Sequence, residues 1–422
     1  MMILRKAVFL LVLSLFACSI ARFAFPASAS STIIVYPTQS IQEAINNANE
    51  GDTVFIKNGT YTQSLIIVNK TVTLLGESPE GTIIDGERAD DVILNVVTSN
   101  VRIINLTVQN TTAGPGPIGV NLAAVRSVEV SGCIIRDSGT GIRLFNSSSC
   151  RIEKNKIMQN TWYGIDLQIS SSSNFIRDNL VANNPTGIQA DDSIGQNIIY
   201  HNNFVDNSIQ TAGGGLIKNK WDNGYPSGGN YWSDYPSGDS FNGIGQNLNG
   251  SDGIGDKPYP NIAYPYDSYP FMGEIRSFWA GKWGSDYYVW ITSNSTDVAS
   301  FMFSNSTIPH LQFNATGLGF LTYFCRVAVP KQLMWVNSPS EWQALVNYTI
   351  ASPFVYDDAE FTYIYLNYTY GMLETSKNIQ INGTHIIPET VWPLLIAMLA
   401  VLASQAALMK RGVQRRIYTE TS

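Results

Sequence analysis

A repeat of about 23 residues runs through the middle of this chain, and few folds accommodate one. Gly119, Gly141, Gly164 and Gly187 open the segments Gly-Val-Asn-Leu, Gly-Ile-Arg-Leu, Gly-Ile-Asp-Leu and Gly-Ile-Gln-Ala, at spacings of 22, 23 and 23. A second element keeps step with them: Asn105-Leu-Thr-Val-Gln-Asn110, Asn155-Lys-Ile-Met-Gln-Asn160, Asn179-Leu-Val-Ala-Asn-Asn184 and Asn203-Phe-Val-Asp-Asn-Ser208. Each unit holds short β-branched runs separated by Asn, Gly and Ser. Helical repeats need longer apolar stripes with a 3.6-residue period, and none is present. One coil of a three-sided solenoid takes about 22 residues, as three strands of about five plus turns. Alternation within the strands predicts that Ile152, Ile157, Ile176, Val181, Ile199 and Val205 point inward and stack into one core. Asn suits the turns because it tolerates left-handed backbone and its amide can bond the Asn above and below. A β-sandwich does not explain Asn recurring at one phase.

A solenoid needs its ends covered. Ser40-Ile-Gln-Glu43 reads as a capping box, and Ile41, Ala44, Ile45 and Ala48 line one face of a short helix. End-capping accounts for this helix more simply than a partner-binding role. Gly51 to Tyr61 then enters the first strand. The solenoid with its capping helix is predicted over residues 30–220.

The termini point to export. Arg5 and Lys6 precede Ala7 to Ile20, an apolar run too short for a bilayer core, and Ala27-Ser28-Ala29 is a small-x-small cleavage site. This predicts a signal peptide over 1–29; Cys18 sits in only a loose match to a lipoprotein box. Trp392 to Met409 is uncharged, about 27 Å long as a helix against a core of about 30 Å. Lys410, Arg411, Arg415 and Arg416 follow. The expectation is one transmembrane helix over 391–409, a cytoplasmic basic tail over 410–422, and a single-pass protein of the cell membrane with its bulk outside. Without those four cations, the three of the signal (Arg5, Lys6, Arg22) and Glu420, 19 Lys and Arg face 32 Asp and Glu, a net −13. Such a surface argues against nucleic acid as a partner. Cys133, Cys150 and Cys325 remain after cleavage. Cys133 and Cys150 fall at different phases of the repeat, which argues against their pairing.

Residues 33–270 resemble the pectin-lyase-like β-helix superfamily, and within it the NosD-like periplasmic proteins, whose repeats are named for carbohydrate-binding proteins and sugar hydrolases. The stretches that carry the resemblance are Trp221-Asp-Asn-Gly-Tyr-Pro-Ser-Gly-Gly-Asn-Tyr-Trp-Ser-Asp-Tyr235, Asp252-Gly-Ile-Gly-Asp256-Lys-Pro-Tyr259 and Tyr266-Asp-Ser-Tyr-Pro-Phe271. The resemblance implies a right-handed parallel β-helix. It also brings copper into view, with an accessory role in maturation of a copper enzyme. Copper sites want clustered His, Met or Cys, whereas His201, His310 and His385 sit in different segments, so copper is not expected.

Residues 221–272 carry eleven aromatics among many Gly and Pro. They read as a lid on the last coil, with Trp221, Tyr231 and Trp232 packed on the solenoid end. As a functional alternative, those three rings are platforms for sugars. The acidic loop 247–256, with Asp252 and Asp256, is a candidate Ca²⁺ loop without the EF-hand order of ligands. From Glu274 to Pro388 the period is lost. Candidate strands at Tyr287–Thr292, Ser300–Phe303, Gly319–Val329, Trp342–Ile350, Phe361–Tyr368 and Ile379–Ile381 suggest a small β-sandwich acting as a stalk over 274–388. The fold expected is all-β: a parallel β-helix, a β-sandwich and one membrane helix.

Glycoside hydrolysis needs converging carboxylates. Asp166, Asp191 and Asp192, with His201 nearby, are the candidates, against the plainer reading of turn aspartates bonding their own backbone. No Gly-His-Gly or Arg-x-Lys accompanies them. Arg143, Arg151 and Arg177, considered as lyase bases, do not share a phase. Sequons at Asn58, Asn69, Asn105, Asn110, Asn146, Asn249, Asn294, Asn305, Asn314, Asn347, Asn367 and Asn382 permit glycosylation. The functional expectation is a non-catalytic, membrane-anchored protein that binds or displays glycans on a solenoid face lined by Asn, Ser and Thr. The rivals are a polysaccharide hydrolase or lyase, a structural envelope protein and a NosD-like accessory factor. No cofactor is required by this reading, and oligomeric state is left open.

Overall fold

The computed structural model describes residues 30–192, 195–260, 266–306 and 308–386. The expected signal peptide, membrane helix and basic tail lie outside them. Among the described residues no helix is long and apolar enough to cross a membrane.

Parallel strands form three sheets of eight, seven and eight strands, a β-solenoid of about eight turns. The first sheet runs Thr32–Val35, Thr53–Ile56, Thr73–Gly76, Arg102–Ile104, Glu129–Ser131, Arg151–Glu153, Phe175–Arg177 and Ile198–Tyr200. Three-residue strands suffice because each needs to contribute only one inward aliphatic, such as Val130, Ile152 or Ile157. Ile152, Ile157, Ile176, Val181 and Ile199 are fully buried as expected. Helix α1 (Ile41–Asn47) packs on the first-turn strands, and the Ser40 side chain accepts the Glu43 amide.

Two compact units divide the chain. One runs to Phe175 and includes Asn184–Ile194; the other holds Ile176–Asn183 and everything from Gly195. In both, the corners are built alike. A residue with left-handed φ is followed by a buried polar residue whose side chain bonds the neighbouring turn. The pairs include Lys154-Asn155, Gln159-Asn160 and Ser173-Asn174 in the first unit, and Asp178-Asn179, Gln196-Asn197 and His201-Asn202 in the second. Asn160 gives both its backbone amide and its Nδ2 to Asn184 Oδ1, at 3.1 and 3.0 Å. Asn179 does the same to Asn202 Oδ1, at 3.1 and 2.9 Å, and Asn202 to Asn230 Oδ1. The two tasks foreseen for Asn are thus divided: the preceding residue takes the left-handed backbone, and Asn makes the ladder. Cys133 and Cys150 occupy ladder positions, accepting no disulfide; their amides bond Asn155 and Asn174 at 2.9 Å each.

The ladder corrects one register. Asn202, not Asn203, is equivalent to Asn179, so Phe204 pairs with Val181 and points inward while Val205 is only half-buried. The repeating glycines have a steric cause. A Cβ on Gly141 would lie 2.6 Å from Gly164 O and 2.9 Å from Ile157 Cγ2.

In the second unit the aromatic segment closes the solenoid. Trp232 lies stacked between Phe204 (4.4 Å) and Tyr259 (4.3 Å). The buried Asp267 carboxylate accepts the Asn230 amide and the Trp232 indole, both at 2.8 Å, and so terminates the Asn ladder. Beyond it, two five-stranded antiparallel sheets share one core, the expected sandwich. One contains Glu274–Trp283, Ser285–Ser293, Thr322–Pro330, Phe361–Thr369 and Phe354–Asp357; the other Asp297–Ser304, His310–Thr316, Ser376–Asn382, Gln343–Val346 and Thr349–Ala351. The strand expected over Trp342–Ile350 is a hairpin, because Asn347 and Tyr348 both adopt left-handed φ, as a two-residue turn demands. The strand expected from Gly319 begins at Thr322, after a turn through Phe320 with φ 64°.

Replacing Asn202 by Ala strips the Asn179 amide of its acceptor and the Ile176 and Tyr200 carbonyls of a donor. Each buried orphan costs about 1–3 kcal/mol. Urea unfolding of N202A should therefore show a loss of about 3 kcal/mol or more; a loss under about 1 kcal/mol would show the ladder to be dispensable.

Candidate functional site

The first unit presents one outward row in exact register across five turns of the second sheet: Asn95, Asn121, Arg143, Asp166 and Gln189. Asn121, Arg143, Asp166 and Gln189 each lie two residues after a repeating glycine, so the repeat itself aligns them. Asn121 donates to Asn95 Oδ1 at 2.9 Å, and Arg143 Nε donates to Asn121 Oδ1 at 3.0 Å. The guanidinium also lies 6.0 Å from the centre of the Phe145 ring, two residues on along the same strand.

Asp166 is the exception in this row. It is 1% exposed, and its Oδ2 accepts Gln168 Nε2 at 2.7 Å, but its Oδ1 is buried with no hydrogen-bond partner among the described residues. Burial pushes its carboxyl up to about 6, against the pull of Arg143 and Gln168 and with a further push from Asp191. Burial also lowers Arg143, opposed by Asp166 and Asp91. Asp191 follows Gln189, the register partner of Asp166, by two residues on the adjacent turn, which makes it a diagonal neighbour of Asp166. One Asp191 oxygen accepts the Ile169 amide at 3.0 Å, as the turn-aspartate reading expects. Asp192 is exposed beside it. Phe145 is partly exposed on the same strand as Arg143, and Trp162 is exposed just before Tyr163–Gln168. Sequence reasoning weighed Arg143 only against Arg151 and Arg177, which lie on another sheet, and missed Gln168 and Gln189.

The other candidates lie in the second unit. His201 is a left-handed corner residue whose Nε2 sits 3.0 Å from Ser227 O, and burial drives its imidazole down to about 3, keeping it neutral. That is the setting of a packed corner, not of a general base. Trp221 and Trp232 are covered and serve the lid, so neither is a platform for a ligand; Tyr231 is half-buried. Asp252 Oδ1 accepts the Ile254 amide and its Oδ2 the Gln246 side chain, and Asp256 accepts the Ser240 and Phe241 amides, so both carboxylates are engaged by their own segment. Among the described residues no group of three or more His, Cys, Asp or Glu side chains is placed to hold a metal ion. Of the sequon asparagines, Asn58, Asn69, Asn146, Asn249, Asn294, Asn305, Asn347 and Asn367 are exposed, Asn105, Asn110 and Asn314 half-buried, and Asn382 buried, accepting from Gln380.

With this geometry in hand, comparison with known proteins is informative. Residues 45–237 match the NosD family, described as periplasmic copper-binding protein. That stretch is NosD-like in sequence and folds as a parallel β-solenoid. No curated protein sequence matches the chain. Among solved structures, a pectin methylesterase from carrot is 15% identical, covering 43% of this chain and 65% of its own, with a TM-score of 0.32. A pectin methylesterase from Yersinia enterocolitica is 19% identical, covering 42% and 61%, with a TM-score of 0.27. The chain thus spans less than two thirds of either. Copper does not fit the NosD-like stretch: His201 is engaged with Ser227 O, and burial pushes the Cys133 thiol up to about 12 and raises Cys150.

An acid whose folded pKa lies above its unfolded value holds its proton more tightly in the native state, so stability falls as pH rises from about 4 to about 6. For Asp166 the shift corresponds to roughly 3 kcal/mol. Asp166→Asn should remove this loss: measured by thermal unfolding, the wild type should fall relative to D166N between pH 4 and pH 7. Parallel profiles would contradict the assignment.

Proposed function

We propose that this is a cell-surface protein that binds polysaccharide along the outward row Asn95, Asn121, Arg143, Asp166 and Gln189. The observation that carries the reading is Asp166 Oδ1, a buried acceptor without a donor among the described residues, set within a register-aligned line of amide and guanidinium groups. A buried orphan acceptor is costly, and a ligand hydroxyl that displaces the side chains over it would satisfy it. Turns repeat at about 4.8 Å, so the row offers evenly spaced partners to a polymer of hydroxylated units. The anchor over 391–409, with the bulk of the chain outside the cell, belongs to the same proposal and rests on the apolar stretch and its flanking cations.

A second reading has its own support. A carboxyl raised to about 6 beside the carboxylate of Asp191 is the pairing of acid and base that glycan cleavage uses. In this reading Asp166 is the acid and Asp191 the second carboxylate, as a hydrolase requires. The structural-envelope and accessory-factor alternatives call for neither the orphan oxygen nor the pair.

A glycan array probed with the ectodomain, residues 30–388, tests the binding claim. Wild type should bind at least one polymer, and Asp166→Asn and Arg143→Ala should each weaken it about tenfold or more with circular dichroism unchanged. Silence on every polymer, or variants that bind like wild type, would overturn the claim. Release of new chain ends by wild type but not by D166N would establish the second reading.

A further inference from the structure

The sandwich is open at one end. Along most of its length the inner face is aliphatic, with Val289, Ile291, Val327, Val329, Ile364 and Leu366 all in the shared core. Two residues before Val289 the same face carries Tyr287, and two before Ile364 it carries Thr362, whose register partner on the edge strand is Asp357. A sandwich closed for packing alone fills such an end with apolar side chains. Here a groove of about 670 Å³ opens instead, a volume in the range of small-molecule sites.

Indoles and hydrogen-bonding groups share the lining. Trp342 is buried against the core, and the half-buried Trp335 lines the groove with His385 stacked on it at 5.4 Å. Gln332 accepts the Tyr287 hydroxyl at 3.3 Å. Lys331 pairs with Asp357 at 2.8 Å, so the charges in the lining cancel. A charge-balanced groove suits neither a free anion nor a cation. Flat rings beside amide and hydroxyl groups suit a ring that is apolar on its faces and hydroxylated at its edge.

We propose that this groove binds a neutral saccharide residue, its ring against Trp335 and its hydroxyls on Gln332, Thr362 and Asp357. The site lies outside the NosD-like stretch, does not depend on the solenoid row, and gives the sandwich a recognition role in place of a purely mechanical one. Two saccharide sites on one chain would raise its avidity for a polymer without any new contact.

The test titrates the full chain, in a non-glycosidic detergent, with glucose, galactose, mannose, N-acetylglucosamine and their di- and trisaccharides, read by saturation-transfer NMR and tryptophan fluorescence. At least one sugar should bind. Trp335→Ala and the surface variant Gln332→Ala should each weaken that binding tenfold or more, while Asp166→Asn leaves it unchanged. Silence across the panel, binding indifferent to both groove variants, or binding lost only in D166N would overturn the proposal. Loss of groove binding with polymer binding intact leaves the solenoid reading standing.

Discussion

The buried side-chain amides at the corners hold this molecule together. A solenoid turn reverses direction three times, and each reversal leaves backbone groups that no sheet can pair. Here an inward Asn gives its amide nitrogen and its carboxamide to the Asn one turn on, while the residue before it takes the strained left-handed backbone. Such a chain of bonds is fully satisfied only when every turn is present. It therefore fixes register as well as contributing stability. Its end needs a terminator, and Asp267 fills that role by accepting from Asn230 and Trp232.

With the corners and core committed to the ladder, only outward strand positions are free to vary. The row from Asn95 to Gln189 is built from such positions. Its members are fixed in register by the same stacking that fixes the ladder, so a functional line of side chains needs no loop to hold it. Asp166 departs from the rule that buried polar atoms are paired. A group that lowers stability at neutral pH and faces outward is the kind of feature that function retains and folding does not.

Much of this was legible in the residues. The glycine spacing and recurring Asn predict stacked turns, and the aromatic run from Trp221 to Phe271 predicts a lid. The sequence also points to Asp166 and Asp191. What it does not show is which of two adjacent Asn enters the ladder. Asn202 and Asn203 are chemically identical, and the choice is made by Phe204, whose ring fills the space under Trp232. The partners of Asp166 escaped notice because Arg143, Gln168 and Gln189 look like ordinary surface residues until register sets them together. The sandwich strands Glu274–Trp283, His310–Thr316 and Phe354–Asp357 were missed for a different reason. In Glu274–Trp283 and Phe354–Asp357 the alternation is blurred because outward positions also carry large apolar rings, whereas His310–Thr316 alternates cleanly, with Leu311, Phe313 and Ala315 inward, but is short and rich in polar residues.

The central claim is that the corner amides are locked by side chains of the neighbouring turn. Native-state hydrogen exchange tests it most directly. The backbone N–H groups of Asn160, Asn179, Asn197 and Asn202 lie in turns, where exchange is ordinarily fast, yet each has a carboxamide oxygen as acceptor. The account predicts protection equal to that of central strand amides such as Ile157 and Ile199. Exchange at the rate of exposed turns would contradict it.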